Sequence, residues 1–264
     1  MILKLKDCIL DVDIERTRAF YERSDVPYVS RQCNCVNCQN FRMDKHGNRV
    51  ADCNFCPSSN EAMELAAERA AEVARSLYRS SERFYFWMDD AKNKKCHCPK
   101  CRNKSASDQQ LMVLERILSA LRKERPESKL AYLAYFDTME LPNLEIADGL
   151  FLEYAPIGKT INAASAEAEE EIRMARLLRE RFGCKDAKVL EYWLDNSLFS
   201  RWKKPPLSFS FTPESVKTME DDIRNYVDMG FEVITTFACF LGTDYEELYG
   251  EADITPFARA IGKI

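Results

Sequence analysis

Cysteine placement constrains this chain more than any other feature, because eight of its eleven cysteines stand at ligand spacing within the first 101 residues. Two copies of Cys-x-Cys-x-x-Cys occur, at Cys33, Cys35 and Cys38 and at Cys96, Cys98 and Cys101, with a Cys-x-x-Cys at Cys53 and Cys56 between them. Such spacing turns several sulfurs toward one point, the geometry of a tetrahedral soft-ligand metal site, and zinc is the first expectation. Disulfides and redox thiols are the competing readings. The opening Met1-Ile2-Leu3-Lys4-Leu5-Lys6-Asp7 has no apolar signal core and no small-residue cleavage site, and no run approaches a membrane-spanning length. A cytoplasmic chain is therefore expected, with no membrane partner, and there clustered thiols stay reduced and bind metal rather than bridge.

Cys8, Cys184 and Cys239 stand alone in apolar or strand-like surroundings, where a thiol is usually a small buried hydrophobe. The remaining eight make two sets of four. Cys56 and the later triplet each follow a strand-like segment, and loops leaving one edge of a parallel sheet are neighbours. One set is thus expected to be Cys56, Cys96, Cys98 and Cys101, the other Cys33, Cys35, Cys38 and Cys53. Cys53 acting with Cys56, or His46 or His97 replacing a sulfur, are the alternatives. Four sulfurs close a site structurally, whereas catalytic zinc keeps a position for water and usually draws on histidine or carboxylate. With only His46 and His97 in the chain, two structural zinc sites are expected. An iron-sulfur cluster would use the same four thiolates.

A chain of 264 residues with 46% hydrophobic content can bury a full core as one large domain. Its net charge of −5, with both signs interspersed, offers no basic stripe for phosphates, so no nucleic-acid partner is expected. From about residue 57 helix and strand alternate. Ser58 with Glu61, and Ser107 with Gln110, read as capping boxes. Apolar runs at Phe84 to Met88, Leu130 to Phe136, Leu150 to Tyr154, Val189 to Leu194 and Phe231 to Phe237 read as strands. Helices are expected from Ser165 to Phe182, stopping at Gly183, and from Thr212-Pro213 to Gly230, with a short one after Thr255-Pro256. Amphipathic helices between near-continuous apolar strands imply a mainly parallel sheet. Five clear strands, and a sixth near Arg49 to Asp52, fall short of the eight in a complete barrel. The expected class is α/β, a partial or irregular (β/α) barrel of the TIM type over residues 51–264. Residues 1–50, with a hairpin at Ile2 to Val12 and a helix carrying Phe20 and Tyr21, form a small Cys-rich metal-binding appendage.

From about Cys53 onward the chain resembles a bacterial family of unknown reaction assigned to the glycoside-hydrolase barrel clan. The resemblance rests on Cys56-Pro57-Ser58-Ser59-Asn60, on Asp89-Asp90 leading into the second triplet, and on Leu133-Ala134-Tyr135. It continues through Leu190-Glu191-Tyr192-Trp193-Leu194-Asp195 to Asp244-Tyr245-x-x-x-Tyr249-Gly250. The N-terminal Cys-x-Cys-x-x-Cys-x-Asn-Phe, ending at Phe41, resembles a separate short uncharacterised bacterial family. The clan resemblance implies a sugar-processing barrel with substrate at the C-terminal strand ends. Acidic residues there become catalytic candidates: Asp89, Asp90, Asp137, Glu153, Glu191 and Asp195. Glycoside cleavage uses one carboxyl to protonate the leaving oxygen and another as nucleophile or base. By similarity to substrate-assisted hexosaminidases of the clan, Asp89 would orient an acetamido group and Asp90 would donate the proton.

Rings at or beyond strand ends, Trp87, Tyr135, Tyr154, Tyr192, Trp193, Trp202 and Phe240, are candidates for stacking on a sugar, although most aromatics at strand spacing are core. Trp193 and Trp202 flank Asp195 in a polar loop that continues through Lys203-Lys204-Pro205-Pro206 and would make the first binding platform. The usual members of the resembled family have further strands ahead of Cys56, so a second copy of the chain is one way to complete the barrel. Two functions are expected to compete: a glycoside-processing enzyme, and a zinc-containing module that binds carbohydrate or protein without chemistry.

Overall fold

The computed structural model describes residues 39–77, 81–89, 91–158, 166–183 and 185–262. The expected hairpin and helix before residue 39, the Ser165 helix start, Cys8 and Cys184 lie outside these residues. The chain divides into two compact units, Met1–Phe151 and Leu152–Ile264.

In the first unit, β1 (Phe41–Met43) and β2 (Arg49–Phe55) form an antiparallel hairpin. The strand expected near Arg49 to Asp52 is therefore real, but it pairs with β1 rather than joining the parallel sheet. Helix α1 (Asn60–Ser76) buries Ala62, Ala67, Ala70, Ala71 and Ala74, a stripe of small side chains that brings it close to α2 (Ala106–Glu124). Between them β3 (Arg83–Phe84) pairs in parallel with β4 (Lys129–Ala134). The ladder at β3 has only two residues, shorter than the apolar run predicts. Beyond Phe84 the chain is held by rings instead: Phe86 stacks on Phe84 at 6.1 Å and Tyr85 meets Phe151 edge-on at 5.6 Å.

Both capping boxes shift by a turn residue or two. Ser59, not Ser58, accepts from the Ala62 amide at the start of α1, and Ser105, not Ser107, accepts from the Asp108 amide at the start of α2. Ser58 and Ser107 are used elsewhere, because each is buried or half-buried beside another acceptor or donor. Ser107 donates to the Glu140 carbonyl at 2.7 Å, and Gln110 donates to Leu133 at 2.8 Å.

Strand β5 (Leu150–Tyr154) carries the chain into the second unit, where β6 (Lys188–Glu191) pairs in parallel with β5 and β7 (Val233–Thr236) with β6. The order of the parallel sheet is β3-β4-β5-β6-β7. Sequential order with helical crossovers is what short right-handed connections produce. Helix α3 (Ala166–Phe182) ends at Gly183, whose φ of +81° is the left-handed terminator that the glycine predicts. After the short α4 (Asn196–Phe199), α5 (Pro213–Asp228) starts under a reciprocal Thr212–Ser215 cap, with proline in its first turn. Helices α6 (Thr243–Tyr249) and α7 (Thr255–Ile261) follow β7. The fold is thus α/β with a parallel five-stranded sheet and seven α-helices among the described residues.

Asp108 shows how polar groups tie the first unit together. Its buried carboxylate accepts from the Asn143 amide at 2.7 Å and the Leu144 amide at 3.0 Å, holding the loop ahead of β5 against the first turn of α2. Burial opposes the charge, yet the hydrogen bonds from Leu144 and Asn143 outweigh it and hold the carboxyl below the ordinary aspartate range. A depressed folded pKa means stability that is present above the unfolded value and lost as pH falls through the folded one. Asp108→Ala is expected to cost about 2 kcal/mol at pH 7 and progressively less below pH ~4, as measured by urea unfolding across pH.

Candidate metal centre

The β1–β2 hairpin delivers Cys56 one residue beyond β2, and the loop before α2 delivers Cys96, Cys98 and Cys101. All four ligand sulfurs lie within 4.8 Å of one another, and none of these residues is more than 2% exposed. Cys56 Sγ stands 3.5 Å from Cys96 Sγ and 3.6 Å from Cys98 Sγ. Sulfurs about 2.3 Å from one ion at tetrahedral corners are about 3.8 Å apart, whereas a disulfide brings them to about 2.05 Å. The spacing is that of ligands, and all four cysteines are free thiols.

Backbone and side-chain bonds shape this cluster before any ion is considered. Main-chain pairing joins hairpin to loop: Cys56 N–H donates to Asn40 O at 2.9 Å and His97 N–H to Met43 O at 2.8 Å. Met43 N–H donates to Cys96 Sγ at 3.3 Å. Between Cys98 and Cys101 the chain folds into a tight turn, with the Cys101 and Arg102 amides donating to Cys98 O. Proline and lysine in that turn leave the amide of Lys100 free to bond the Cys98 sulfur.

Three residues that spacing rules did not single out complete the shell. Ser58 Oγ lies 3.1 Å from Cys56 Sγ and 3.4 Å from Cys98 Sγ, which is why it does not cap α1. Arg49 is hydrogen-bonded to Cys56 and brings the cation nearest the sulfurs, while also donating to Phe41 O at 2.6 Å. Gln109 is buried at the start of α2 and clamps the loop: its Oε1 accepts from Cys96 N–H at 2.8 Å, and its Nε2 donates to Cys96 O at 3.0 Å and Cys101 O at 3.2 Å. Gln109 lies in a run of buried polar residues, Ser107 to Gln110, so its sequence position carried no signal for this role.

Crowding decides the protonation of the thiols. Hydrogen bonds from Cys101 and Cys96, with Ser58 and Arg49 behind them, hold the Cys56 thiol far below its usual range despite burial. Cys101 is pushed well above that range by the same contact with Cys56 and Cys96. Against burial, hydrogen bonds from Ser58, Cys101 and Lys100 hold the Cys98 thiol below its usual range too, and thiolates gathered this closely repel one another until a cation joins them. His97 lies beside the ligands without entering the group, its pKa lowered by burial and by Lys95 and Arg42, and His46 is exposed. Cys53 is also outside the group, half-buried beside Asp52 and Arg42. Cys33, Cys35 and Cys38, its expected co-ligands, lie outside the described residues, as does Asp90.

The remaining site candidates take several settings. Asp89 and Asn54 bond reciprocally: Asn54 N–H donates to Asp89 Oδ2 at 2.6 Å and Asp89 N–H to Asn54 Oδ1 at 2.9 Å. Asn54 holds a left-handed φ of +51°, a conformation asparagine tolerates, and it precedes Cys56 by two residues. Asp137 accepts from the Asn93 amide. Glu153 is fully buried and paired with Lys188 at 2.8 Å, and Glu191, also fully buried, accepts from Tyr226 Oη at 2.5 Å. Burial and the adjacent Glu191 carboxylate push the Tyr226 hydroxyl well above its ordinary range, so it remains a donor. Asp195 caps α4 through the Ser197 amide at 3.0 Å.

Among the rings, Tyr154 is buried and donates to Glu171 O at 2.6 Å, and buried Trp193 donates from Nε1 to Asp222 at 3.3 Å. Tyr192, also buried, packs against Phe237, and half-buried Tyr135 packs against Phe136. Trp87 and Trp202 are the two site-candidate rings that stand exposed. The expected platform of Trp193 with Trp202 therefore has one ring in the core and one in solvent, because the indole N–H of Trp193 finds its partner inside.

Comparison with protein-family models, with curated proteins and with solved structures gave no match.

Gln109→Leu is expected to lower stability by about 2 to 4 kcal/mol, since it strips partners from a buried amide and two buried carbonyls at once. Urea unfolding measures the loss. Gln109→Glu, which keeps the acceptor for Cys96 N–H but removes the donors, should fall between wild type and Gln109→Leu.

Proposed function

We propose that Cys56, Cys96, Cys98 and Cys101 hold one zinc ion in a closed structural site, and that this site braces a glycoside-processing α/β protein of partial-barrel type. The observation that carries the metal reading is the sulfur spacing of 3.5 and 3.6 Å in a buried all-cysteine set. Four sulfurs leave zinc no open position, so its role is to fix structure rather than to activate water. The closeness of all four sulfurs favours a single ion over an iron-sulfur cluster, whose thiolates are spread over two or four irons and so stand further apart. Arg49, Ser58 and the amides of Met43 and Lys100 would offset the charge that four thiolates leave on a divalent ion.

The glycoside reading rests on the family resemblance and on the setting of Asp89. Asn54 on the hairpin and the chain leading to Cys96 both end at the metal cluster, so an ion there would fix the Asn54–Asp89 pair from two sides. Trp87, two residues earlier, is 46% exposed and would give a sugar a flat apolar face. In this reading Asp89, with its sequence neighbour Asp90, supplies the acidic pair. The parallel order β3 to β7 is compatible with a barrel segment, and the remaining strands would come from elsewhere.

A second reading, a binding module without chemistry, is favoured by one set of facts. Glu153, Glu191 and Asp195 are all buried and committed to Lys188, Tyr226 and Ser197.

Purified protein is expected to carry one equivalent of zinc lost on Cys98→Ala, with a second equivalent if Cys33, Cys35, Cys38 and Cys53 form their own site; elemental analysis reads both. No zinc at all would remove the metal reading. Against a panel of aryl glycosides that includes N-acetylated sugars, Asp89→Asn at equal zinc content should lose on the order of 100-fold in rate. Wild-type turnover of none of the panel, with retention on a carbohydrate column, would leave the binding module as the function.

A further inference from the structure

Five of the eight exposed large apolar side chains among the described residues come from two neighbouring segments of the second unit: Phe199, Trp202 and Leu207, and Leu248 and Tyr249 of α6. The segments are tied into one surface. Lys204 Nζ pairs with Asp244 at 2.5 Å, Tyr249 Oη donates to Pro206 O at 3.1 Å, and Phe209 N–H donates to Tyr245 Oη at 3.0 Å. Trp202 is 66% exposed on a turn whose backbone is set, since both it and Arg201 occupy left-handed φ and its amide donates to Ser197 O at 2.8 Å. Side chains that each bury roughly 150–250 Å² when covered leave an apolar area on the order of 500 Å² here, the size at which an exposed patch marks an interaction surface.

Charge identifies the occupant. Asn196 to Thr212 holds three cations and no acid, while Thr243 to Ile254 holds five acids and no cation. Arg201 and Lys203 on one side, and Glu246 and Glu247 on the other, are exposed and form no ion pair among the described residues. A polyanion such as nucleic acid or an acidic membrane would gain from the loop and be repelled by α6. A surface with the same two halves, turned by a two-fold axis, satisfies both at once. We propose that this surface is a self-complementary interface through which two copies of the chain pair, the basic aromatic loop of each lying on the acidic α6 of the other with Trp202 at the centre. Its apolar middle and charged rim suit a pairing that buries about 800 Å² per partner. This pairing is independent of the metal and of any glycoside chemistry.

Charge exchange tests it on the full chain. One variant carries Arg201→Glu and Lys203→Glu, the other Glu246→Lys and Glu247→Lys; all four positions are exposed, and circular dichroism checks that each variant folds. Sedimentation velocity should show wild type as a dimer and each variant alone as a monomer. An equimolar mixture of the two should return to a dimer, because reversed loop then faces reversed helix in one contact and native loop faces native helix in the other. Trp202→Ala should weaken the wild-type dimer by about tenfold or more while keeping the wild-type circular dichroism spectrum. A monomeric wild type, variants that still dimerise, or a mixture that stays monomeric would each overturn the proposal. So would binding of wild type to vesicles rich in anionic phospholipid that the Arg201/Lys203 variant loses.

Discussion

Four sulfurs drawn within 4.8 Å of one another in a buried site are an arrangement that protein alone supports poorly. Thiols give weak hydrogen bonds, and ionising some of the four makes the others harder to ionise, as the raised Cys96 and Cys101 thiols show. A soft divalent cation reverses each of those terms. Binding of zinc to four thiolates is worth on the order of 10 kcal/mol in small modules, comparable to the whole stability of a domain. A two-stranded hairpin is marginal in water, and β1–β2 adds to its ladder a two-point pair from buried Arg42 to half-exposed Asp52 and an exposed Lys94–Asp52 pair that contributes little. The position of the hairpin, and with it Asn54 against Asp89, follows from the cluster.

The shell around the sulfurs divides the labour between the two contributing segments. Backbone amides of Met43 and Lys100 point at sulfur, Ser58 bridges Cys56 and Cys98, and Gln109 holds the loop from the helix that follows it. Gln109 is a side chain whose whole capacity is spent on main-chain groups of residues 96–104, so the loop keeps its shape through α2. The second unit solves a different problem. Its buried Glu153–Lys188 pair and Glu191–Tyr226 bond place ionisable groups inside the sheet with partners, which costs less than leaving them alone and fixes the register of β5, β6 and α5.

Much of this was legible from residue order. Cys56 was placed with the later triplet on the expectation of two loops from one parallel-sheet edge, and the grouping holds although β2 ends in a separate hairpin instead; Gly183 and Thr212-Pro213 marked helix ends because their backbone chemistry leaves few other uses. Caps failed where a serine had a stronger partner than the helix: Ser58 went to sulfur and Ser107 to a carbonyl, neither visible in a four-residue pattern. Strand β3 is shorter than its apolar run because aromatic runs satisfy a strand pattern whether ring packing or a ladder holds them. The acidic candidates were equally ambiguous by position. A carboxylate at a strand end reads the same whether it faces solvent, as catalysis needs, or a buried lysine or tyrosine, as Glu153 and Glu191 do. Gln109 and Arg49 escaped notice because polar residues flanking a cysteine motif carry no spacing rule.

X-ray absorption at the metal edge of the purified protein tests the central claim most directly. Four sulfur neighbours at about 2.3 Å with no nitrogen or oxygen in the first shell, reduced to three by Cys56→Ala, is the expected result. A first shell of mixed nitrogen and oxygen, a metal–metal distance marking a cluster of several irons, or a spectrum indifferent to Cys56 would contradict it.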